Sequence, residues 1–234
     1  MAGAGHLPQP VTKAQDKSAI VYLCNDFALD TVVATGPLTN LAMALQRKPS
    51  LSNQIENLII MGGCVRPDPV FNLMGNLTVK GTQEGKAEYN FAVDPQAARH
   101  VFQSGIKNIA MIGLDVTHQA IVTPERLDEV RAIDTSVGCA AAGLLDHYHR
   151  VDLERHGVPG SPLHDPCVIA YLLRPELFSG RRAFVGVETQ SEATMGRTVV
   201  DFWNATGRKA NATVIESIDA DGFFDLLIER LSQL

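Results

Sequence analysis

A histidine and an aspartate stand side by side in the stretch Pro162-Leu163-His164-Asp165-Pro166-Cys167, just ahead of an apolar run. Proline is favoured in the first turn of a helix, and the helix dipole favours a carboxylate there, so Asp165 is predicted at a helix N-terminus. An imidazole beside a carboxylate can form a metal-binding or catalytic pair. The alternative is a plain aspartate helix cap, and these residues alone leave both interpretations open.

A second group of polar residues surrounds an aromatic ring, because Glu88 and Asn90 flank Tyr89. In an extended chain alternate side chains point to the same side, so Glu88 and Asn90 are predicted to face one way. A carboxylate and an amide beside an aromatic ring suit a sugar, since the polar groups bind hydroxyls and the ring covers an apolar face. The alternative is a solvent-exposed edge strand.

The elements that carry these residues are predicted from apolar runs. Thr31 to Ala34, Leu58 to Met61 and Ile106 to Ile112 are short apolar strands, and amphipathic helices lie between them. This alternation predicts an α/β fold with a mostly parallel open sheet and helices on both faces. In such sheets ligands bind at the carboxyl ends of the strands, where Thr35-Gly36-Pro37 and Met61-Gly62-Gly63 lie. Taken alone, each of these motifs is more often a plain turn.

The remaining segments frame this sheet. Residues 1–17 are rich in Gly, Pro and polar residues and are predicted as an extended lead-in, and residues 18–234 as one domain. The stretch from Cys64 to Lys86 is predicted as a long loop. A small antiparallel C-terminal β segment is predicted from three runs, Ala183 to Glu188, Thr198 to Phe202 and Ala212 to Glu216.

Composition excludes several classes of function. The net charge is −6 and there is no long basic run, which argues against nucleic acid and anionic membranes as partners. We find neither an apolar stretch of transmembrane length nor a signal peptide. The four cysteines never form C-x-x-C, so free thiols in a reducing compartment are expected. These features predict a cytoplasmic protein.

The motifs gain their meaning in combination. They resemble, in order and approximate spacing, those of the inosine–uridine-preferring nucleoside hydrolase family, from about residue 18 to the C-terminus: Thr35-Gly36-Pro37-Leu38-Thr39-Asn40, Met61-Gly62-Gly63, Ala87-Glu88-Tyr89-Asn90, Gly113-Leu114-Asp115-Val116-Thr117-His118 and His164-Asp165-Pro166-Cys167. The resemblance implies a Rossmann-like nucleoside-hydrolase domain. It also implies an enzyme that hydrolyses the N-glycosidic bond of ribonucleosides to ribose and free base.

The resemblance also implies roles for individual residues. Enzymes of this family use Ca²⁺, and Asp165 would bind it through its carboxylate and Thr35 through its backbone carbonyl, both oxygen ligands suited to a hard cation. His164 would be the leaving-group acid or would orient the base. Family members often form dimers or tetramers, so a homo-oligomer is expected. The residues that would contact the substrate are Met61, Asn76, Glu88, Tyr89 and Asn90.

One family feature is missing. The family begins with an aspartate-rich pattern, D-x-D-x-x-x-D-D, that supplies most metal ligands and the aspartate that activates water, and this sequence contains no such stretch. We therefore expect an N-terminally truncated domain that lacks the front βα units. The chain alone is expected to bind Ca²⁺ weakly and to be inactive or nearly so.

Two alternatives compete with the hydrolase. A non-catalytic protein that binds nucleosides or a partner subunit would explain the missing aspartates. An NAD enzyme of the Rossmann type is disfavoured because no G-x-G-x-x-G follows a strand. The motifs do not distinguish purine from pyrimidine nucleosides.

Overall fold

The computed structural model describes residues 16–25, 30–66, 76–78, 85–156 and 160–234. The chain divides into two compact units. The sheet unit comprises the described parts of Gln15–Val116 and Phe178–Ser217, and the helical unit comprises those of Thr117–Leu177 and Ile218–Leu234. The lead-in falls almost wholly outside the described residues, so its boundary, and the single domain after it, stay predictions.

The helices and strands of the described residues follow in chain order. The helices are α1 Ala19–Cys24, α2 Thr39–Arg47, α3 Tyr89–Val93, α4 Pro95–Phe102, α5 Leu114–Thr117, α6 Pro124–Arg131, α7 Ser136–His156, α8 Asp165–Leu173 and α9 Ala220–Ser232. The strands are β1 Thr31–Ala34, β2 Asn57–Met61, β3 Asn76–Thr78, β4 Gly85–Glu88, β5 Asn108–Ile112, β6 Ile121–Val122, β7 Ser161–Pro162, β8 Phe178–Val187, β9 Thr198–Asp201 and β10 Ala212–Ile218. Short 3₁₀ helices cover Pro49–Asn53 and Pro175–Leu177.

A six-stranded sheet in the order β1-β2-β5-β10-β8-β9 forms the centre of the sheet unit. Strands β1, β2, β5 and β10 pair in parallel, whereas β8 and β9 pair antiparallel. The mixed α/β fold with a mostly parallel sheet is therefore confirmed. The carboxyl ends of β1, β2 and β5 point the same way, as parallel pairing requires, so the residues that follow these strands share one edge of the sheet.

The apolar strands are buried on both faces. In β2 the side chains of Leu58, Ile59, Ile60 and Met61 are all buried, and the corresponding residues of β5 are buried as well. Because successive side chains of a strand point to opposite faces, full burial shows that both faces of these strands are covered. This burial explains why short apolar runs were sufficient to predict β2 and β5.

The predictions for two strand segments need correction in detail. Ala212 to Glu216 was predicted as part of the antiparallel C-terminal segment; β10 lies between β5 and β8 in the sheet and pairs in parallel with β5, whereas β8 pairs antiparallel with β9. The stretch Cys64 to Lys86 was predicted as a loop, but its described part includes β3, which pairs antiparallel with β4. The parallel partner of β10 could not be deduced from the local pattern, because β5 lies far from it in sequence.

The helical unit has its own small apolar cluster. Val130, Ile133 and Ala142 are buried, and Ile228 and Leu231 of α9 pack against them. Thr123 caps α6 by accepting a hydrogen bond from the Arg126 backbone N–H, and Pro124 follows it as the first helical residue, where proline is favoured. Among the helices of the described residues, none combines the length and apolar character that crossing a bilayer requires.

Candidate active site

The carboxyl end of β2 brings two predicted sugar-contacting residues together. Met61 is the last residue of β2 and is 3% exposed. The side-chain amide of Asn90 donates a hydrogen bond to the Met61 carbonyl (Nδ2 to O, 3.1 Å), and the same nitrogen lies 3.4 Å from Met61 Sδ. Met61 and Asn90 therefore form one buried polar contact at the edge where α/β sheets bind ligands.

The buried carboxylate of Glu88 links the residues around the Met61–Asn90 contact. Its carboxylate accepts hydrogen bonds from the backbone N–H groups of Gly63 (2.9 Å), Asn90 (2.8 Å) and Phe91 (3.1 Å). The side chain is 3% exposed. Three N–H donors compensate the buried negative charge, so Glu88 joins the end of β2 to the start of α3.

The extended conformation predicted for Glu88, Tyr89 and Asn90 is wrong. Glu88 ends β4 and is the N-cap of α3, so Asn90 already lies in the helix. Both polar residues are nevertheless buried while Tyr89 is 52% exposed. The cause is the helix turn and the capping hydrogen bonds rather than strand alternation. The ring of Tyr89 is therefore open to solvent and to a ligand.

Thr35 and Asn76 complete the predicted residues of the sheet unit. Thr35 directly follows β1 and is exposed, so it lies at the same edge of the sheet as Met61. The backbone of Asn76 pairs in register with that of Glu88. The Asn76 side chain is not among the described atoms, so its predicted sugar-binding role stays a prediction.

Asp115 supports the strand ends. Its two carboxylate oxygens accept hydrogen bonds from the backbone N–H groups of Val65 and Arg66, each at 2.7 Å. Burial raises the pKa of the neighbouring Cys64 thiol to about 12, and the carboxylates of Asp115 and Glu88 act in the same direction. Cys64 is therefore a protonated thiol without nucleophilic character.

The remaining two predicted residues, His164 and Asp165, belong to the helical unit. The helix α8 begins at Asp165, as the Asp-Pro sequence predicted, but its N-cap is His164 and not Asp165. The His164 side chain makes no capping hydrogen bond. The plain aspartate cap is therefore not what the structure contains, and both side chains are left for other contacts.

His164 is held by a single hydrogen bond. Its Nδ1 lies 2.8 Å from the hydroxyl oxygen of Thr117, whereas its buried Nε2 has no hydrogen-bond partner among the described residues. The His118 ring lies 5.6 Å away, centroid to centroid. Burial, helped by His118, lowers the pKa of His164 to about 3. The imidazole is therefore neutral at physiological pH.

Asp165 is exposed and is the one side-chain Ca²⁺ ligand that the resemblance implies. It makes no hydrogen bond or ion pair within the described residues, and partial burial raises its pKa. Calcium takes six to eight oxygen ligands, usually from several carboxylates. In the described part of the chain no group of three or more His, Cys, Asp or Glu side chains could hold a metal ion. These residues do not fit Ca²⁺ by themselves.

Thr117 is the site residue that sequence reasoning missed. It stood inside the motif Gly113 to His118, yet no role was assigned to it. The sequence signal was weak: Thr117 lies between the apolar Val116 and the polar His118, and only its burial shows that its hydroxyl needs a partner. The partner is His164, 47 residues along the chain.

Comparison with known proteins decides the family. A sequence profile described as inosine-uridine preferring nucleoside hydrolase matches residues 1–225. The chain belongs to this family. The resemblance in the ordered motifs is thereby confirmed, and nucleoside hydrolases are enzymes that act on N-glycosyl bonds.

Curated relatives and solved structures agree with the assignment to the nucleoside hydrolases. The chain is 44% identical over 232 residues to the pyrimidine-specific ribonucleoside hydrolase RihA of Escherichia coli (strain SMS-3-5 / SECEC), covering 96% of this chain and 70% of that protein. Among solved structures it is similar to a purine-preferring ribonucleoside hydrolase from Gardnerella vaginalis, with TM-score 0.84, 27% identity and coverage of 99% and 71%. A plant nucleoside hydrolase, PpNRh1, gives TM-score 0.82, 26% identity and coverage of 97% and 71%.

Proposed function

We propose that this chain binds a pyrimidine ribonucleoside and hydrolyses its N-glycosidic bond, releasing ribose and the free base. The observation that carries the proposal is the 44% identity, over nearly the whole chain, to a relative named for pyrimidine ribonucleosides. The solved neighbour named as purine-preferring is only 27% identical, so it weighs less in the choice of base.

Hydrolysis of the N-glycosidic bond needs groups that contact the sugar and groups that stabilise the departing base. Cleavage of the C–N bond leaves positive charge on the sugar and negative charge on the departing base. In the proposal, Met61 and Asn90 contact the ribose and the exposed Tyr89 ring covers an apolar face of the nucleoside. Backbone donors already use the Glu88 carboxylate, so Glu88 acts on the ribose chiefly by holding Asn90.

His164 is proposed to act on the base. Its buried Nε2 has no partner in the described residues and its imidazole is neutral. A neutral imidazole orients and stabilises a departing base by hydrogen bonding, whereas full protonation would need an imidazolium. Of the two roles predicted for His164, the orienting role therefore has the better support.

The rate of this polypeptide is proposed to be low. The sequence contains no D-x-D-x-x-x-D-D stretch, and the described residues contain no group of three potential metal-ligating side chains. Asp165 and the Thr35 carbonyl remain the proposed Ca²⁺ ligands, and water activation has no assigned base. These absences also support the second candidate, a protein that binds a nucleoside without cleaving it.

Product analysis separates the two candidates. The 234-residue chain is incubated with uridine, cytidine or inosine in excess Ca²⁺, with RihA measured beside it, and bases are quantified by chromatography. Release of uracil, at a rate more than about 100-fold below that of RihA, supports slow hydrolysis. Calorimetric binding of uridine without any uracil supports the non-catalytic candidate. If neither binding heat nor uracil is detected, both candidate functions are excluded.

Two further expectations concern the setting of the protein. A cytoplasmic location is proposed from its four free cysteines. A homo-oligomer is proposed from the family, with a small nucleoside as the partner rather than nucleic acid, in keeping with the net charge of −6. Light scattering of the purified chain tests the oligomer, and a monomer would contradict it.

A further inference from the structure

The strand β9 forms one edge of the six-stranded sheet. It pairs with β8 on one side, and among the described residues no strand follows it on the other. A sheet edge presents backbone N–H and C=O groups that can pair with another chain. Val199 within β9 is 56% exposed, and Trp203 just beyond it is 85% exposed. This edge therefore offers a partner both hydrogen-bonding groups and apolar surface.

One hydrogen bond shows which residues of β9 are bonded to β8. The backbone N–H of Glu188, directly after β8, donates to the carbonyl of Arg197, directly before β9 (2.9 Å). Hydrogen-bonded positions recur at every second residue of an antiparallel strand. Val199 and Asp201, which are in register with residues of β8, therefore use their backbone groups within the sheet.

The alternate residues of β9, Thr198 and Val200, direct their backbone groups away from β8. Val185 is the residue of β8 in register with Val200. Its N–H donates to the side-chain carbonyl of Asn211 (2.7 Å), and its carbonyl accepts from the side-chain amide of Asn211 (2.9 Å). Val185 therefore bonds on its other side. The N–H and C=O groups of Thr198 and Val200 accordingly point to the open edge of the sheet.

These positions define how a second strand fits the edge. We infer that a second copy of this chain pairs antiparallel with β9 across a two-fold axis at Val199. Thr198 then pairs with Val200 of the partner subunit, and each such pair exchanges both N–H···O bonds. The two Val199 side chains meet at the axis as a non-hydrogen-bonded pair, in which side chains lie closest. An interface of this kind is isologous and closes as a dimer.

Charge complementarity selects this register and a second copy as the occupant. Arg197 comes opposite Asp201 of the partner subunit, on the face of the strand that carries Val199, because alternate residues share a face. Hydrogen bonds from the Thr206 hydroxyl and neighbouring backbone N–H groups lower the pKa of Asp201 to about 2, so it is charged at neutral pH. An axis at Thr198 or Val200 would form neither these opposite-charge pairs nor the contact between the two Val199 side chains.

The inferred surface specifies the homo-oligomer proposed above, which rested on the family alone. It does not depend on the hydrolysis of a nucleoside. The pairing also brings the exposed indole of Trp203 to the turn that precedes β9 in the other copy. The sheet would thereby continue from one copy into the next without an open edge at β9.

Paired charge variants at the two-fold axis test the interface. Sedimentation of the unaltered chain over a concentration series should show a reversible dimer. V199D and V199K each place two like charges at the axis, and each should raise the dimer Kd at least about 10-fold. An equimolar mixture of V199D and V199K should restore dimers with a Kd within about 3-fold of the original, because opposite charges then meet at the axis.

The matched controls are M43D and M43K, which alter a residue of α2 that is 48% exposed and lies in the same unit. They should leave the dimer Kd unchanged, and thermal unfolding reports whether every variant folds. A monomeric unaltered chain overturns the inference and the proposed homo-oligomer together. Undiminished dimers in V199D and V199K, or no recovery in their mixture, overturn the β9 surface while the homo-oligomer stands.

Amide hydrogen exchange tests the same edge without any variant. At a protein concentration that favours the dimer, the N–H groups of Thr198 and Val200 should exchange at least about 10-fold more slowly than in the dilute monomer. Amides within α2 should exchange equally at both concentrations. Unchanged exchange at Thr198 and Val200 in a chain that dimerises overturns the inference.

Discussion

At the residue scale, the carboxylate of Glu88 combines two tasks that are usually separate. Aspartate, asparagine, serine and threonine are the common helix N-caps, whereas glutamate is not. Here the longer side chain lets one oxygen accept from Gly63 and Phe91 and the other from Asn90. One buried group therefore caps α3 and fixes the turn after β2.

Replacing this carboxylate by an amide should weaken the fold. In E88Q the new NH₂ group must face a backbone N–H in either orientation, so at least one buried hydrogen bond is lost. We expect the free energy of unfolding to fall by about 1–3 kcal/mol. Urea denaturation followed by circular dichroism measures it. The control E192Q alters an exposed glutamate and should change stability by less than about 0.5 kcal/mol. Equal stability of both variants would contradict the assigned role of Glu88.

Asp201 provides a pH-dependent prediction. Hydrogen bonds from the Thr206 hydroxyl and from the backbone N–H groups of Thr206, Ala205 and Trp203 lower the pKa of Asp201 to about 2. A carboxyl group whose pKa is lowered by folding stabilises the fold above its unfolded pKa, near 3.9. That contribution is lost as the pH falls from about 4 towards 2.

The variant D201N isolates this contribution. The difference in unfolding free energy between the unaltered chain and D201N should be largest above pH 5 and should shrink between about pH 4 and pH 2. Chemical denaturation at a series of pH values measures this difference, and acid effects common to both chains cancel. A difference that stays constant with pH would show that Asp201 is not held ionised by these hydrogen bonds.

At the element scale, the turn after β2 depends on a glycine. Gly63 has φ +82°, a left-handed conformation that other residues rarely adopt. A methyl group on Gly63 would also lie 2.8 Å from Thr198 Oγ1 and 3.0 Å from the Phe91 ring. The turn therefore brings β2, α3 and β9 closer together than any side chain would allow.

The substitution G63A should accordingly destabilise the chain. Backbone strain alone costs about 1–2 kcal/mol, and the close contacts add to it. The matched control is G143A within α7, where a methyl group would meet nothing within 4 Å. It should raise stability by about 0.5–1 kcal/mol because alanine favours a helix. Thermal unfolding of the two variants should therefore shift in opposite directions, and a shift in the same direction would refute the close packing described at Gly63.

The elements that sequence predicted well are those with a strong local signal. The strands β2 and β5 consist almost wholly of apolar residues, and the Thr-Pro start of α6 specifies both its cap and its first residue. The pattern Glu88, Tyr89, Asn90 misled because alternation over three residues is shared by a strand and by a capped first helical turn. Longer periodicity is needed to distinguish them.

Contacts between distant residues escaped prediction for a different reason. Thr117 and His164 are adjacent only because α5 and α8 meet in the folded chain. The parallel pairing of β10 with β5 likewise depends on where the chain returns after more than a hundred residues. The sequence motifs identified most of the candidate residues. The hydrogen bonds that orient Glu88, Asn90 and His164 could be identified only from the structure.

At the scale of the whole molecule, the predicted residues fall into two groups. Thr35, Met61, Glu88, Tyr89 and Asn90 belong to the sheet unit, whereas His164, Asp165 and the hydrogen-bonding Thr117 belong to the helical unit. In the proposed function the sheet-unit group contacts the ribose, His164 acts on the base and Asp165 is a proposed Ca²⁺ ligand. The family model matches residues 1–225, a stretch that contains both groups, and the chain covers 70% of the curated relative RihA.

Hydrolysis of uridine tests the central claim most directly. A single-turnover experiment with the 234-residue chain in excess over uridine makes even a slow reaction measurable by chromatography. The expected result is equimolar uracil and ribose, formed faster than hypoxanthine from inosine and abolished or strongly slowed in H164A. No uracil beyond that of a protein-free control, or equal rates for the unaltered chain and H164A, would contradict a pyrimidine nucleoside hydrolase that acts through His164.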